Sequence, residues 1–143
     1  MDAVTGMDVR AVNERVIAQL RAGGPVEGMH RERLVLLTTT GRRTGRPRTT
    51  PMMFHRDGDR LLVVASNIGA PRHPDWYLNL VADPHVTVEV GDEPGGARPA
   101  VARPLEGAER ERVWEMLKAT YPFFAEHEAR TTRTIPVVAL ERP

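Results

Sequence analysis

A chain of 143 residues, 41% hydrophobic and 27% charged, has the length of one domain and the composition of an ordinary globular protein. It has no cysteine, which excludes disulfides, thiolate metal sites and cysteine nucleophiles. No apolar run approaches the roughly 18 residues that cross a bilayer, and a net charge of +1 argues against a polyanionic partner such as nucleic acid. Residues 1–7 carry Asp2 and no apolar stretch, unlike a secretory leader. The cytoplasm is therefore the expected compartment.

In chain order, residues 9–21 are predicted as a short amphipathic helix. Val12, Val16, Ile17 and Leu20 fall at helical spacing, with Arg10, Glu14 and Arg15 on the other face. Gly23-Gly24-Pro25 stops it. From residue 34 the pattern changes to strands: 34–40, a turn from Gly41 to Gly45, and 48–56, broken by Pro51. Asp57-Gly58-Asp59 signals a hairpin into a strand over 61–66. His73-Pro74-Asp75-Trp76 starts a helix, with Pro74 at its first position, which runs to Ala82 and ends at Asp83-Pro84. Val86, Val88 and Val90 alternate with Thr87 and Glu89, so strand 86–90 buries one face. A strand over 98–105 follows, then a helix over 106–120 with Val113, Trp114 and Leu117 on one stripe and Glu109 beside Arg112. A last strand covers 135–140. Hairpins with a few helices between them predict a mainly β, α+β fold: one antiparallel sheet, curled or closed, with helices outside. The whole chain, 1–143, reads as one domain, with a helix and lead-in over 1–30 and a barrel over 31–143.

Three segments carry chemistry. Between Glu32 and Asp57 there is no acidic residue, while Arg33, Arg42, Arg43, Arg46, Arg48 and Arg56 all fall there. Gly41 and Gly45 flank Arg42-Arg43-Thr44, and such glycines allow positive φ angles that turn backbone N–H groups inward around an anion. The same inventory fits a hairpin turn with solvated arginines. The second segment runs from Ser66 and Asn67 through Gly69 into the helix start, where an anion or a polar ring edge is favoured. Trp76, Tyr77 and Leu80 suit a wall for a planar ligand or plain core packing, and His73 a capping or surface role. The third, Tyr121-Pro122-Phe123-Phe124-Ala125-Glu126-His127, forms a pocket wall or a satellite core under a loop. The five histidines show no metal spacing, and Gly-x-Ser-x-Gly and Gly-x-Gly-x-x-Gly are absent. No metal site is expected. With no nucleophile, metal or acid/base pair evident, an enzyme of this sequence is expected to borrow its chemistry from an organic cofactor.

Taken together, Leu-Leu-Thr-Thr-Thr-Gly-Arg-Arg-Thr-Gly-Arg-Pro-Arg-Thr-Thr-Pro, Asp-Gly-Asp-Arg, Ala-Ser-Asn, His-Pro-Asp-Trp-Tyr-Leu-Asn-Leu, Tyr-Pro and Arg-Thr-Ile-Pro-Val-Val resemble the deazaflavin (coenzyme F420)-dependent nitroreductase and quinone reductase family. The resemblance covers residues 13–141. It implies a split β-barrel, flavin-nucleotide-binding-like, with peripheral helices, and a cofactor, 8-hydroxy-5-deazaflavin coenzyme F420, whose phosphate and polyglutamate tail meet basic residues. By position, Arg42, Arg43 and Thr44 hold the phosphate region with Arg48 nearby, and Thr50, Pro51 and Met52 lie along the ring. Ser66, Asn67, Gly69 and Ala70 meet its polar edge or the acceptor, and Arg72, Trp76 and Asn79 complete the groove. The implied activity is hydride transfer to an organic acceptor, by resemblance a quinone, with Ser66, Tyr121, His127 or water supplying the proton. Nitroimidazole-reducing members carry several C-terminal tyrosines. Here Tyr121 remains, with Phe124 and His127 at the other positions, which favours quinones. Where members often have Gly-Gly, Ile68-Gly69 suggests a tighter ring pocket. An FMN-binding oxidoreductase of the same fold and a non-catalytic coenzyme carrier share these motifs. No nucleic-acid partner or integral membrane segment is expected. Peripheral contact with the inner face of a membrane and the oligomeric state stay open.

Overall fold

The computed structural model describes residues 9–26 and 28–143. The reading of residues 1–7 as unlike a leader lies outside the described residues. Helix α1 spans Val9–Arg21, as its periodicity predicts. Seven strands follow: β1 Leu34–Thr40, β2 Pro47–Met53, β3 His55–Asp57, β4 Arg60–Val64, β5 His85–Val90, β6 Arg98–Pro104 and β7 Val137–Glu141. Helix α2, Asp75–Ala82, lies between β4 and β5, and α3, Gly107–Thr120, and α4, Phe123–Ala129, lie between β6 and β7. All pairings are antiparallel, in the order β2-β1-β5-β6-β7-β4-β3.

The predicted strand over 48–56 is two strands, and they occupy opposite edges of the sheet. Pro51 is not the break. It sits inside β2 opposite Leu36, tolerated because β2 is an edge strand that needs no amide on its outer side. The chain changes edge at Phe54, whose N–H donates to the Arg33 carbonyl at 3.1 Å. Two edges joined by one residue force the sheet to curl into a split barrel.

Burial follows from that curl. Val35 and Leu37 of β1, Leu61 and Val63 of β4, Val86, Val88 and Val90 of β5, and Val138 and Leu140 of β7 fill the lumen with Phe54 and Leu80. The alternate residues face outward under helices. Leu34 and Leu36 meet Val16 and Leu20 of α1, and Leu62, Val137 and Ala139 meet Val113, Trp114 and Leu117 of α3. Strands covered on both faces read as apolar runs, whereas β5 alternates because one face is less covered.

Smaller expectations shift too. Pro74 is the cap of α2 and Asp75 its first residue, while Glu106 caps α3. Glu109 pairs across to Arg60 and Arg103, at 3.1 and 3.2 Å, rather than with Arg112. Within Tyr121–His127, helix α4 begins at Phe123.

Phe54 is 6% exposed and sits in the lumen at the crossover. Phe54→Ala is expected to lower unfolding free energy by about 3–5 kcal/mol, read from denaturant midpoints at constant slope.

Candidate active site

Three cavities succeed one another along residues 47–55. The largest, about 710 Å³, lies between the N-terminal half of α1, the β1–β2 turn and the start of α2. Arg42, Arg43, Thr44, Arg48 and Thr50 line it, with Trp76 and Asn79 opposite. In the turn, Gly45 takes φ 71, whereas Gly41 serves close approach: a Cβ there would meet Thr44 Oγ1 at 2.9 Å. The amide cradle suggested by the sequence is only partly free. Gly41 N–H donates to the Arg46 carbonyl at 2.8 Å and Gly45 N–H to the Gly41 carbonyl at 2.7 Å. Arg42 N–H donates to Asn79 Oδ1 and Arg46 N–H to Thr44 Oγ1, both at 3.2 Å. The N–H groups of Arg43 and Thr44 have no acceptor among the described residues.

Asn79 is buried and uses both ends of its amide. Oδ1 also accepts from Arg42 Nη1 at 2.9 Å, and Nδ2 donates to Thr39 Oγ1 at 3.2 Å. It brackets Arg42 against the cavity. Asp75 pairs with Arg42 at 3.2 Å and cancels part of its charge, which also leaves the start of α2 facing a carboxylate of its own. Arg43, Arg46 and Arg48 are exposed and have no ion pair among the described residues. Among the described residues, the arginines lining this cavity outnumber its carboxylates, Glu14 and Asp75.

Pro51, Met52 and Met53 border a second cavity of about 350 Å³, with Asn13 and Met29. Met52 and Met53 also wall a third, about 180 Å³, with Phe54, His55, Leu62, Val64, Leu117 and the aromatic segment. Thr50, Pro51 and Met52 thus border successive cavities rather than one wall, since neighbouring strand residues point to opposite faces. Ser66, Tyr121 and His127, far apart in sequence, meet in the third cavity. Its polar groups come as two pairs: His127 Nδ1 lies 3.0 Å from Ser66 Oγ, and His55 Nδ1 lies 2.9 Å from Tyr121 Oη. Helix α4 makes this possible. It sends Phe124 into the core against Trp114 and turns His127 toward Ser66.

Asn67, Gly69, Ala70 and Arg72 line none of these three cavities. Asn67, Ile68 and Gly69 are consecutive left-handed residues at φ 48, 56 and 79. That backbone turns Ile68 out to 69% exposure, so it tightens no ring pocket. Gly69 packs under α4, where a Cβ would stand 2.6 Å from the His127 carbonyl oxygen. Arg133 ties the segment together, donating to the carbonyls of Ser66 (2.7 Å), Ala70 (2.9 Å) and Ala65 (3.2 Å), with Nη1 3.0 Å from His73 Nδ1. His73 is therefore an internal partner rather than a helix cap. Tyr77 and Leu80 pack on the lumen, while Trp76 both packs there and lines the basic cavity. His55 and Arg133 escape sequence reasoning: one is a lone histidine in a strand-like run, the other one arginine among 19.

The profile of one family, described as F420H(2)-dependent quinone reductase, matches residues 10–142. The chain belongs to the F420H(2)-dependent quinone reductase family. A relative named F420H(2)-dependent quinone reductase, from Mycobacterium tuberculosis strain H37Rv, is 40% identical over 111 residues, 76% of this chain and 72% of the relative. A solved F420-H2 dependent reductase, FDR-A, is 41% identical with a TM-score of 0.67, covering 80% of this chain and 100% of that one. A Listeria innocua chain named as a pyridoxamine 5′-phosphate oxidase matches at 20% identity and TM-score 0.51, over 89% of this chain and 90% of that one. That likeness shows the fold alone.

Quinone reductases of this family are oxidoreductases, and F420 is their coenzyme. The site fits an anionic coenzyme of that kind: Arg43 and Arg48 and the amides of Arg43 and Thr44, without partners among the described residues, face one cavity with the Trp76 side chain. Among the described residues no cluster of His, Asp or Glu could hold a metal, and no helix is long and apolar enough to cross a membrane.

His127 and His73 are both held below the usual histidine range, by burial first and then by Arg130 and Arg133 respectively. A histidine that is harder to protonate when folded contributes stability above its unfolded value, about 6.5. That contribution is lost as pH falls through the depressed folded value. Unfolding free energy is expected to decline as pH falls below about 6.5, with a shallower decline in His127→Phe. An equal slope in both proteins would contradict this.

Proposed function

We propose that the basic cavity holds the phosphate and polyglutamate end of F420 and that the third cavity receives a quinone head. The observation that carries this reading is the placement of both ends on one segment. Residues 48–50 border the uncancelled arginines, and residues 52–55 border the hydroxyl–imidazole pairs. When bound, reduced F420 supplies a hydride and a proton, together the two electrons and two hydrogens that turn a quinone into a hydroquinone.

The protein's part is to bind, orient and stabilise charge. Arg43 and Arg48 attract the coenzyme anion, Arg42 is held ready by Asn79, and Thr44 offers its free amide. Trp76, Thr50, Pro51 and Met52 fill the path between the two ends. Ser66 and Tyr121 present hydroxyls where negative charge builds on the acceptor oxygen, and donors preplaced in an apolar cavity act strongly there. Neutral His127 steadies Ser66 and can pass it the one proton the acceptor needs, Nδ1–H giving to Oγ while Nε2 takes one from water, which the proton released by the coenzyme replaces. Asn67, Gly69, Ala70 and Arg72 act by shaping the turn that carries Ser66.

At about 180 Å³ the third cavity is smaller than the roughly 300–1,000 Å³ of pockets that enclose drug-sized ligands. It suits one compact ring system. Phe124 is buried and His127 is tied to Ser66, so neither supplies the phenols that the resemblance links to nitroimidazole reduction. The proposal places the reaction in the cytoplasm, supported by a chain without cysteine.

Fluorescence titration is expected to give tighter binding of oxidised F420 than of FMN; equal affinity would overturn the coenzyme assignment. Arg43→Ala is expected to weaken F420 binding by about 1.5–3 kcal/mol, with a smaller loss at high salt because the side chain is exposed. Tyr121→Phe is expected to lower kcat for menadione more than it weakens coenzyme binding. Turnover of menadione should exceed that of a nitroimidazole in steady-state assays.

A further inference from the structure

We propose that His55 is a positioning residue for the acceptor, setting the Tyr121 phenol so that its O–H points into the third cavity. The inference rests on the reading of that cavity as the acceptor site. Tyr121 has little freedom of its own. Its N–H donates to the Leu117 carbonyl at 2.8 Å, and its carbonyl accepts from Phe124 N–H at 3.0 Å. Its ring packs edge-on to Phe124, with centroids 5.8 Å apart. What remains is the direction of the phenolic hydrogen.

His55 decides that direction. Its Nδ1 lies 2.9 Å from Tyr121 Oη, with the two rings edge-on at 5.7 Å and 81°. Among the described residues it is the phenol's sole hydrogen-bond partner. If Nδ1 carries no hydrogen, the phenol must donate to it, and the cavity then faces oxygen lone pairs. Those would repel an acceptor oxygen as it gains negative charge. If Nδ1 carries the hydrogen, it donates to the phenol oxygen, and the phenolic O–H is free to turn toward the acceptor. Apart from the polar pairs, the wall is built of methionine, leucine, valine and phenylalanine, so few donors can replace it. The same construction, a hydroxyl backed by an imidazole Nδ1, recurs in Ser66 and His127. Two such pairs in one small cavity match a substrate that gains charge on oxygen. The 2.9 Å contact fits either tautomer, and the acceptor reading requires the one with hydrogen on Nδ1.

The test has two readouts. Side-chain ¹⁵N correlation spectra of the coenzyme-free protein, assigned with His55→Asn, should show His55 with hydrogen on Nδ1. A hydrogen on Nε2 alone overturns the proposal. In menadione assays with reduced F420, His55→Phe should lower kcat about tenfold, as loss of one oriented hydrogen bond predicts. His55→Asn, whose amide can donate from near the Nδ1 position, should restore most of it. F420 affinity should stay within about twofold in both, because the change acts on the acceptor alone. In a Tyr121→Phe background, His55→Phe should cost nothing more. Full activity in His55→Phe, or losses that add, overturns the role of His55 alone. A wild-type protein that binds F420 and reduces no quinone overturns the acceptor reading, and this proposal with it.

Discussion

Phe54 is the point at which the chain leaves one edge of the sheet for the other, and the site depends on that crossing. Consecutive Cα atoms are about 3.8 Å apart, so Met53 on β2 and His55 on β3 can be no more than roughly 7.6 Å apart. The outermost strands of a seven-stranded sheet are thereby tied by covalent bonds. Strand twist lets such a sheet curl, and the Phe54 side chain fills the lumen where the edges meet. The same segment then runs from the basic turn to the aromatic cavity without leaving the surface of the barrel. A groove with chemically different ends follows from one strand continuing into another.

The two ends differ in how charge is treated. Most arginines elsewhere are satisfied internally. Arg21 meets Glu89, Arg60 and Arg103 share Glu109, and Arg110 donates to the Ile135 carbonyl. At the β1–β2 turn arginines outnumber carboxylates, and Arg43, Arg46 and Arg48 form no ion pair among the described residues. In a chain of net charge +1 this local imbalance is informative, because it marks where an anion is worth more to the protein than solvent. The far end is nearly neutral and apolar, with hydroxyls braced by imidazoles. On the proposed reading, an anionic coenzyme and an uncharged planar acceptor would be directed to different places.

Between them stands a turn held by tertiary contacts. Arg133 supplies donors to three carbonyls of residues 65–70, and three consecutive left-handed residues persist because α4 and Arg133 enclose them. Ser66 owes its position to this arrangement. Without Arg133, the Ala65 and Ala70 carbonyls would lose this donor, and that of Ser66 would keep only the Gly69 N–H. Ser66 and His127 would then have no fixed distance to keep.

The residues by themselves determined α1, β1, the alternation of β5, the apolar stripe of α3 and the basic, acid-free stretch, since each is a local pattern that backbone geometry and side-chain chemistry impose wherever it occurs. The family motifs named Arg42, Arg43, Ser66 and Tyr121 without their contacts. Tertiary structure alone decided the rest. Residues 48–56 have uniform strand character, so nothing local marks Phe54 as a change of edge; the break exists because the sheet closes there. His55 gains a partner 66 positions away, and Asn79 one 37 positions away. Glu109 chooses Arg60 over Arg112 because β4 begins beside the first turn of α3. Hydrogen bonds and ion pairs act over a few ångströms, and only closure of the barrel brings those groups within that range.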